Sequence, residues 1–325
     1  MKEKIKIGII GIGMTGTPMK KWFNEIKRKE RGKDLFCFDV DPTKDCQDDV
    51  SKADVIWICL PTPTSSDGSC DVSIIEKAID GLLDGERLIV IKSTVPPLML
   101  KNLQERYRSK GLFFSNPEFL TESQAWEDFI RPDRQIVASA SKEGRKFITL
   151  ILGLLPIGSF QSPGVMGTYK FHEANSAEAG LAKYGGNAFG AIKVTFGNII
   201  NNFCEALNVD DVDYEIVREL ISHDRRIGGA WMDVNHGSYR GFGGFCFPKD
   251  LRALIVFGKE ILENLPEGSQ KEVFSKALGV LKSVWDYNEA LLKSQGLTVE
   301  QVSSHDKDLK KIIKNHNSKE RKKNG

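Results

Sequence analysis

The chain has 325 residues, 40 % of them hydrophobic, and its 46 basic and 44 acidic residues leave a net charge of +2. That length supplies one large core or two ordinary ones, and the near-neutral balance gives no global electrostatic argument for nucleic acid as a partner. No apolar run approaches the roughly 18 residues that a membrane-spanning helix needs, so a membrane is not expected either. Lys2, Lys4 and Lys6 precede an apolar run, Ile7–Ile12. The run is short and enters a glycine turn, so it reads as the first β-strand of a soluble, cytoplasmic protein rather than as a signal peptide. The six cysteines are Cys37, Cys46, Cys59, Cys70, Cys204 and Cys246. No two are spaced CxxC, so no metal site is expected. Cys37, Cys59 and Cys204 read as small buried hydrophobes, and the thiols as reduced.

In chain order, short β-branched runs alternate with helical patterns. The expected strands are Ile5–Ile10, Leu35–Asp39, Val55–Leu60, Leu88–Lys92, Leu112–Ser115 and Gln135–Ala138, with helices at Met19–Lys29, Val72–Leu83 and Met99–Lys110. Strand, helix, strand repetition predicts an α/β fold, a Rossmann-type doubly wound parallel sheet with right-handed crossovers. From Asn175 to Asn208 proline is absent. Ala182, Phe189, Ile192, Phe196, Ile199, Ile200 and Phe203 recur at steps of three, four or seven. A helix of that length links domains or forms a dimer interface, and more helices follow at Asp211–Ser222, Leu251–Glu263 and Lys271–Lys293. The expected division is residues 1–170 as the dinucleotide-binding domain, 171–293 as an all-α central domain built on the long helix, and 294–325 as a basic tail. Within that tail, His305–Gly325 holds eight Lys/Arg against three Asp/Glu and reads as a solvated, disordered end.

Gly11-Ile12-Gly13-Met14-Thr15-Gly16 follows a strand and precedes a helix. Gly11 suits a tight turn, Gly13 a close backbone approach to a pyrophosphate, and Gly16 close packing of helix on strand. Asp39 ends the second strand, 23 residues beyond Gly16. A carboxylate there accepts hydrogen bonds from ribose hydroxyls and repels a 2′-phosphate, which favours NAD over NADP. The other reading of Asp39 is a turn residue before Asp41-Pro42. Two further turns, Leu60-Pro61-Thr62-Pro63-Thr64 and Lys92-Ser93-Thr94-Val95-Pro96-Pro97, stand at strand ends, where such sheets bind ligands. Ser93 or Thr94 is equally suited to capping the next helix.

Gly241-Phe242-Gly243-Gly244-Phe245-Cys246-Phe247-Pro248-Lys249-Asp250 is the most specific segment. Its glycines let a ligand approach the backbone. Its cysteine stands beside a lysine at a helix start, and both features lower a thiol pKa and favour a thiolate nucleophile. An inert buried cysteine is the competing reading for that loop alone. Lys183 and Asn187 lie four apart on the long helix, on one face, in an otherwise small or apolar surface. A lysine with no nearby acid on such a face is costly unless it binds something. Glu118 and Glu122, in Asn116-Pro117-Glu118-Phe119-Leu120-Thr121-Glu122, would share a face if that segment turns helical; taken alone they read as two solvated glutamates.

These pieces resemble the UDP-glucose/GDP-mannose dehydrogenase family, in its order: GIGMTG, LPTP, KSTVPP, NPEFLTE, RPDRQIVA, AKYGGNAF, DRRIGG and GFGGFCFPKD, across roughly residues 5–290. The resemblance implies an NAD-dependent four-electron oxidation of a nucleotide-sugar C6 alcohol to the uronic acid, with UDP-glucose as the sugar that the last motif favours. It implies Cys246 as the nucleophile, Lys183 and Asn187 as oxyanion stabilisers, and Asp250 as the residue that positions a water. Glu122 is then a cofactor-side carboxylate, and Glu118 and Thr94 handle a proton or the water. Gly11, Gly13, Met14, Thr15, Gly16, Asp39, Pro61, Thr62, Thr94 and Glu122 would contact NAD. Glu118, Phe119, Leu120, Lys183, Asn187, Phe242, Gly243 and Cys246 would contact the sugar nucleotide. Arg226, in DRRIGG, would reach a substrate across a homodimer interface. Thr121 stands where many relatives carry arginine.

The family carries a third, nucleotide-gripping unit, and the 32 residues after Lys293 show no strand–helix alternation. A natural short form, a truncated product, or a separate chain supplying that unit are the readings left open. Two other functions compete with the implied one: a two-electron dehydrogenase of the hydroxyacid type, and an inactive dinucleotide-binding scaffold.

Overall fold

The computed structural model describes residues 5–158, 174–207, 212–235 and 239–303. Two compact units emerge, Met1–Ser65 with Cys70–Lys183, and Ser66–Ser69 with Tyr184–Gly325. The expected boundary near residue 170 and the tail end His305–Gly325 lie outside the described residues, whereas Leu297, Val299 and Val302, expected within the tail, are buried.

The first unit is a six-stranded sheet in the order β2-β1-β3-β4-β5-β6. Its strands are β1 (Ile7–Ile10), β2 (Leu35–Phe38), β3 (Val55–Ile58), β4 (Leu88–Ile91), β5 (Leu112–Ser115) and β6 (Ala138–Ser139). The first five are parallel, and their first residues stand level, Ile7 beside Leu35 and Val55, Val55 beside Leu88, and Leu88 beside Leu112. Successive side chains alternate between the two faces. Ile7, Ile9, Leu35, Cys37, Val55, Trp57, Val90 and Phe114 join one buried cluster, which Met19, Phe23, Ile148 and Ile151 complete. Phe36, Ile56, Ile58, Ile89, Ile91 and Phe113 join the other, with Ile75, Ile79, Leu100 and Leu103. The helices that cover these faces are α1 (Gly16–Lys21), α2 (Ser73–Asp80), α3 (Met99–Arg106), α4 (Ala125–Ile130) and α5 (Ile148–Leu154). Burial on both faces explains why the strands read as unbroken apolar runs, each full side chain contributing roughly 1.5–3 kcal/mol.

The strand order is the second common doubly wound order, with β2 and β3 on opposite sides of β1. Two expectations are corrected. The last strand is only two residues long and antiparallel to β5. Its expected first part, Gln135–Val137, is buried, but the Asn116 amide donates to the Ile136 carbonyl (2.8 Å) and to the Gln135 side chain (3.3 Å), taking the place of ladder bonds. The helix expected over Met19–Lys29 starts at Gly16, widens into a π-type turn at Trp22–Ile26, and stops where Arg28 takes a left-handed backbone (φ 54°).

Helix α6 (Ser176–Ala206), 31 residues and about 46 Å long at 1.5 Å per residue, carries the change from the first unit to the second. Its first turns pack within the first unit: Ala179 is buried with Ile136 and Ala138, and a Cβ on Gly180 would lie 2.9 Å from Pro97 Cα. The second unit continues with α7 (Tyr214–Ser222), α8 (Phe247–Asn264), α9 (Ser269–Ser294) and α10 (Val299–Val302). Ala188, Ala191, Phe242, Leu251, Ile255 and Val284 form its core. A Cβ on Gly190 would stand 2.5 Å from the Phe247 ring, and one on Gly258 2.8 Å from Leu278. The opposite side of α6 exposes Phe189, Phe196 and Phe203, spaced by sevens. No helix among the described residues is long and apolar enough to cross a membrane.

Candidate active site

The glycine turn is built as its spacing suggests. Gly11 has φ +89°, and a Cβ on it would lie 2.6 Å from the Cys59 carbonyl oxygen. A Cβ on Gly16 would lie 1.9 Å from the Gly11 oxygen, so the α1 start touches the turn itself. Gly13 is exposed and a Cβ on it would meet nothing within 4 Å. Its open side is the face a pyrophosphate would take. Met14 and Thr15 are half-buried beside it, and the Thr15 side chain makes no capping bond to α1.

Asp39 closes the turn from β2. Its carboxylate accepts from the Ile12 N–H (2.6 Å), the Asp41 N–H (2.9 Å) and Lys44 Nζ (2.9 Å). Burial acts to raise its pKa, but these donors outweigh it and hold the carboxyl below its ordinary value. Asp39 is thus both a turn residue and the carboxylate beside the glycine turn. Lys44 escaped the sequence reading; a lysine five residues past the strand-end acid is the signal that marks it.

At the ends of β4 and β5 the buried Lys92 donates to Asn116 Oδ1 (3.1 Å). Burial lowers the Lys92 pKa, against the attraction of the Glu118 charge. Lys92 and Asn116 also escaped the sequence reading; a lysine closing an apolar strand was the available signal. Neither Ser93 nor Thr94 caps α3, which begins at Met99 without a side-chain cap. Instead the Ser93 hydroxyl donates to the Leu60 carbonyl (2.6 Å), and the Thr62 hydroxyl to the Thr94 carbonyl (2.9 Å). These bonds tie the two proline-bearing turns together, with Thr62 and Thr94 buried and Pro61 exposed.

Lys183 does have an acid. Its ammonium donates to the Glu118 carbonyl oxygen (2.7 Å) and stands 3.4 Å from Glu118 Oε1, with both side chains largely buried. It also lies 5.1 Å from the centre of the Phe119 ring, whose other neighbour is Arg134 at 3.8 Å. Glu118 Oε2 is buried with no hydrogen-bond partner among the described residues, an orphan that a ligand or water would satisfy. Glu118 and Glu122 do not share a helical face. Residues 116–120 are irregular and Thr121 is extended, so a turn forms only at Glu122–Gln124; Pro117 breaks the helix pattern. Leu120 packs on the sheet core and Thr121 N–H donates to Asp128.

In the second unit Cys246 occupies the N-cap position of α8, with no side-chain capping bond. Asp250, one turn on and 1 % exposed, accepts from Asn187 Nδ2 (2.5 Å) and from Lys249 Nζ (2.5 Å). The ammonium expected to favour a Cys246 thiolate pairs with Asp250. Phe242 is buried, and a Cβ on Gly243 would lie 2.2 Å from the Tyr239 hydroxyl. Arg226 is highly exposed and pairs with Asp224 at 2.6 Å. Of the cysteines read as buried, Cys37 is fully enclosed, burial pushing its thiol up to about 12. Cys204 is only half-buried, because it borders the exposed side of α6. Among the described residues no group of acids, cysteines and histidines could hold a metal ion.

The profile of the UDP-glucose/GDP-mannose dehydrogenase NAD binding domain matches residues 39–151, and that of the same family's central domain matches residues 177–266. A UDP-glucose 6-dehydrogenase of Rickettsia bellii is 33 % identical over 244 residues, 73 % of this chain and 51 % of that protein. A UDP-glucose 6-dehydrogenase of Bacillus subtilis is 29 % identical over 330 residues, 86 % of this chain and 66 % of its own. The solved structure of a UDP-glucose dehydrogenase from Pyrobaculum islandicum superposes with a TM-score of 0.66 at 26 % identity, over 89 % of this chain and 68 % of that one. The chain spans about half the length of the first curated relatives it matches. With both domain profiles matched in sequence order over more than half its residues, the chain belongs to the UDP-glucose/GDP-mannose dehydrogenase family.

Proposed function

We propose that this chain carries the NAD-dependent oxidation of a nucleotide-sugar C6 alcohol to the carboxylate, with UDP-glucose as the sugar nucleotide, through a thioester on Cys246. The observation that carries the reading is Cys246 at the start of α8 with a buried Asp250 one turn on, held by Asn187, in a chain of this family. The open face of Gly13 and the Asp39 carboxylate fit a pyrophosphate and an adenosine ribose. NAD, when bound, accepts one hydride in each of two oxidations.

In the first oxidation the hydroxyl proton passes to a base and the C6 alcohol becomes an aldehyde. The Cys246 thiolate then forms a C–S bond to the aldehyde carbon, and the carbonyl oxygen becomes an oxyanion. Lys183 has three N–H donors, one of them bonded to the Glu118 carbonyl, and Asn187 has one N–H left beside its bond to Asp250. The family resemblance gives these two residues the oxyanion, and removing one such donor costs about 10²–10³ in rate. After the second oxidation the adduct is a thioester. Water attacks it, the C–S bond breaks, and the thiolate returns. Each Asp250 oxygen accepts one hydrogen bond, and the family resemblance assigns the water to Asp250 and the proton to Glu118 or Thr94.

The exposed Phe189, Phe196 and Phe203 support a homodimer along α6. A hydroxyacid-type enzyme would need one hydride transfer and no cysteine, and a scaffold would bind NAD without turnover. Counting NADH per sugar, with the purified chain and a panel of nucleotide sugars, tests the reading. Two NADH per sugar supports it; one, or none from any sugar, removes it.

A further inference from the structure

The loop that delivers Cys246 is paired along its backbone by side chains of α9 and of the residue that caps it. The Arg240 N–H donates to Gln295 Oε1 (2.8 Å), and Gln295 Nε2 donates back to the Arg240 carbonyl (3.0 Å). Two residues on, the Phe242 N–H donates to Asn288 Oδ1 (2.7 Å), and Asn288 Nδ2 donates to the Phe242 carbonyl (3.0 Å). The Gly244 N–H then reaches the Val302 carbonyl (2.8 Å). Alternate residues 240, 242 and 244 are thus bonded on one side, as along the edge of a β-ladder. Two carboxamides, Asn288 on α9 and Gln295 at its C-cap, replace the missing strand.

Asn288 is the more demanding of the two. It is 1 % exposed, so leaving Phe242 unpaired there costs the full desolvation of buried polar groups. A Cβ on Gly241, where φ is +104°, would stand 2.6 Å from Asn288 Oδ1. The glycine and the amide therefore fit only together. Gln295 is supported by other holds on Arg240, whose guanidinium pairs with Glu205 (2.9 Å) and Asn198 (3.1 Å). From Phe242, four residues lead to Cys246.

We propose that Asn288 is a positioning residue for Cys246: its carboxamide clamps both backbone groups of Phe242 and so sets where the loop hands the thiol to the start of α8. As a role in catalysis this rests on Cys246 being the nucleophile; as a structural statement it does not.

The test is the rate at which iodoacetamide alkylates Cys246 in the full chain without NAD or sugar, read by peptide mass spectrometry across a pH series. Asn288→Ala, Asn288→Asp and Gln295→Ala are compared with the unaltered chain. Asn288→Asp keeps the acceptor for the Phe242 N–H and loses the donor. The expected result is a Cys246 rate or pH midpoint altered in both Asn288 variants, with Cys37 and Cys204 alkylation unchanged. Turnover falls at least about tenfold, in kcat rather than in KM for NAD, and the Gln295 variant changes less. Folded Asn288 variants that alkylate and turn over like the unaltered chain overturn the proposal. Should neither variant fold, amide hydrogen exchange at Phe242 in the unaltered chain decides: slow exchange supports the clamp and loop-like exchange overturns it. Full turnover by Cys246→Ser would remove the nucleophile reading and leave the alkylation comparison to judge the clamp.

Discussion

Lys183 and Glu118, 65 residues apart in sequence, are joined at 2.7 Å between the ammonium and the main-chain oxygen, with the carboxylate 3.4 Å away. The bond links the first half of α6 to the loop after β5. It holds a cation at a site that would otherwise contain a buried, uncompensated acid. Lys183→Met should therefore lower both activity and stability, whereas Lys183→Arg keeps the charge and loses the single-point geometry. The expected kcat loss is about 10²–10³ for the methionine, checked by steady-state kinetics beside a thermal melt. Unchanged kcat in a folded Lys183→Met chain excludes the residue from the oxyanion.

Asp250 carries the second buried pair. Asp250→Asn removes the carboxylate that the buried Lys249 pairs with. Breaking one side of such a pair costs about 3–5 kcal/mol, to be measured by urea unfolding. Asp250→Asn combined with Lys249→Met should recover part of that loss, since the ammonium of the pair is then gone too.

The glycines separate folding from binding. Gly16→Ala places a carbon 1.9 Å from a backbone oxygen, and should lower the melting temperature as well as NAD affinity. Gly13→Ala meets nothing within 4 Å, and should leave the melt unchanged while weakening NAD, measured by titration calorimetry. Equal NAD affinity in Gly13→Ala would move the pyrophosphate away from this turn.

The depressed Asp39 pKa sets a sign. A carboxyl whose folded pKa lies below its unfolded one adds stability that is present above the unfolded pKa and lost as pH falls through the folded one. The stability gap between the unaltered chain and Asp39→Asn should thus narrow as pH falls from the ordinary carboxylate range through the lowered folded pKa, followed by urea unfolding. A constant gap would mean that the bonds from Ile12, Asp41 and Lys44 do not depend on the charge.

Phe196 stands in the middle of the exposed α6 stripe. Phe196→Glu should convert a dimer to a monomer in light scattering, with an unchanged melt of the monomer. A monomer in both chains removes the proposed interface.

The strands and the glycine turn were legible because their signals are local: apolar runs of four, three glycines and an acid at a strand end. The order of β1, β2 and β3 was not, since either order satisfies the same right-handed crossovers. β6 was read as too long because the Ile136 carbonyl just before it bonds to a side chain, Asn116, that no propensity scale registers. The sequence singled out Lys183 and Asn187 but not their partners. Glu118 and Asp250 are 65 and 63 residues away, distances that only the folded chain closes. Asn288 on α9 and Gln295 at its C-cap carry no local signal, because their task is set by a loop some 50 residues earlier. Lys44 and Lys92 gain a role only once the fold places Asp39 and Asn116 against them.

The most direct test of covalent catalysis is NADH released per nucleotide sugar by the Cys246→Ser chain, in a single turnover with excess NAD. The expected result is at most one NADH, with no uronic acid, because the serine variant lacks the thiolate that the second oxidation requires. Two NADH and a full yield of acid would contradict a thioester at Cys246.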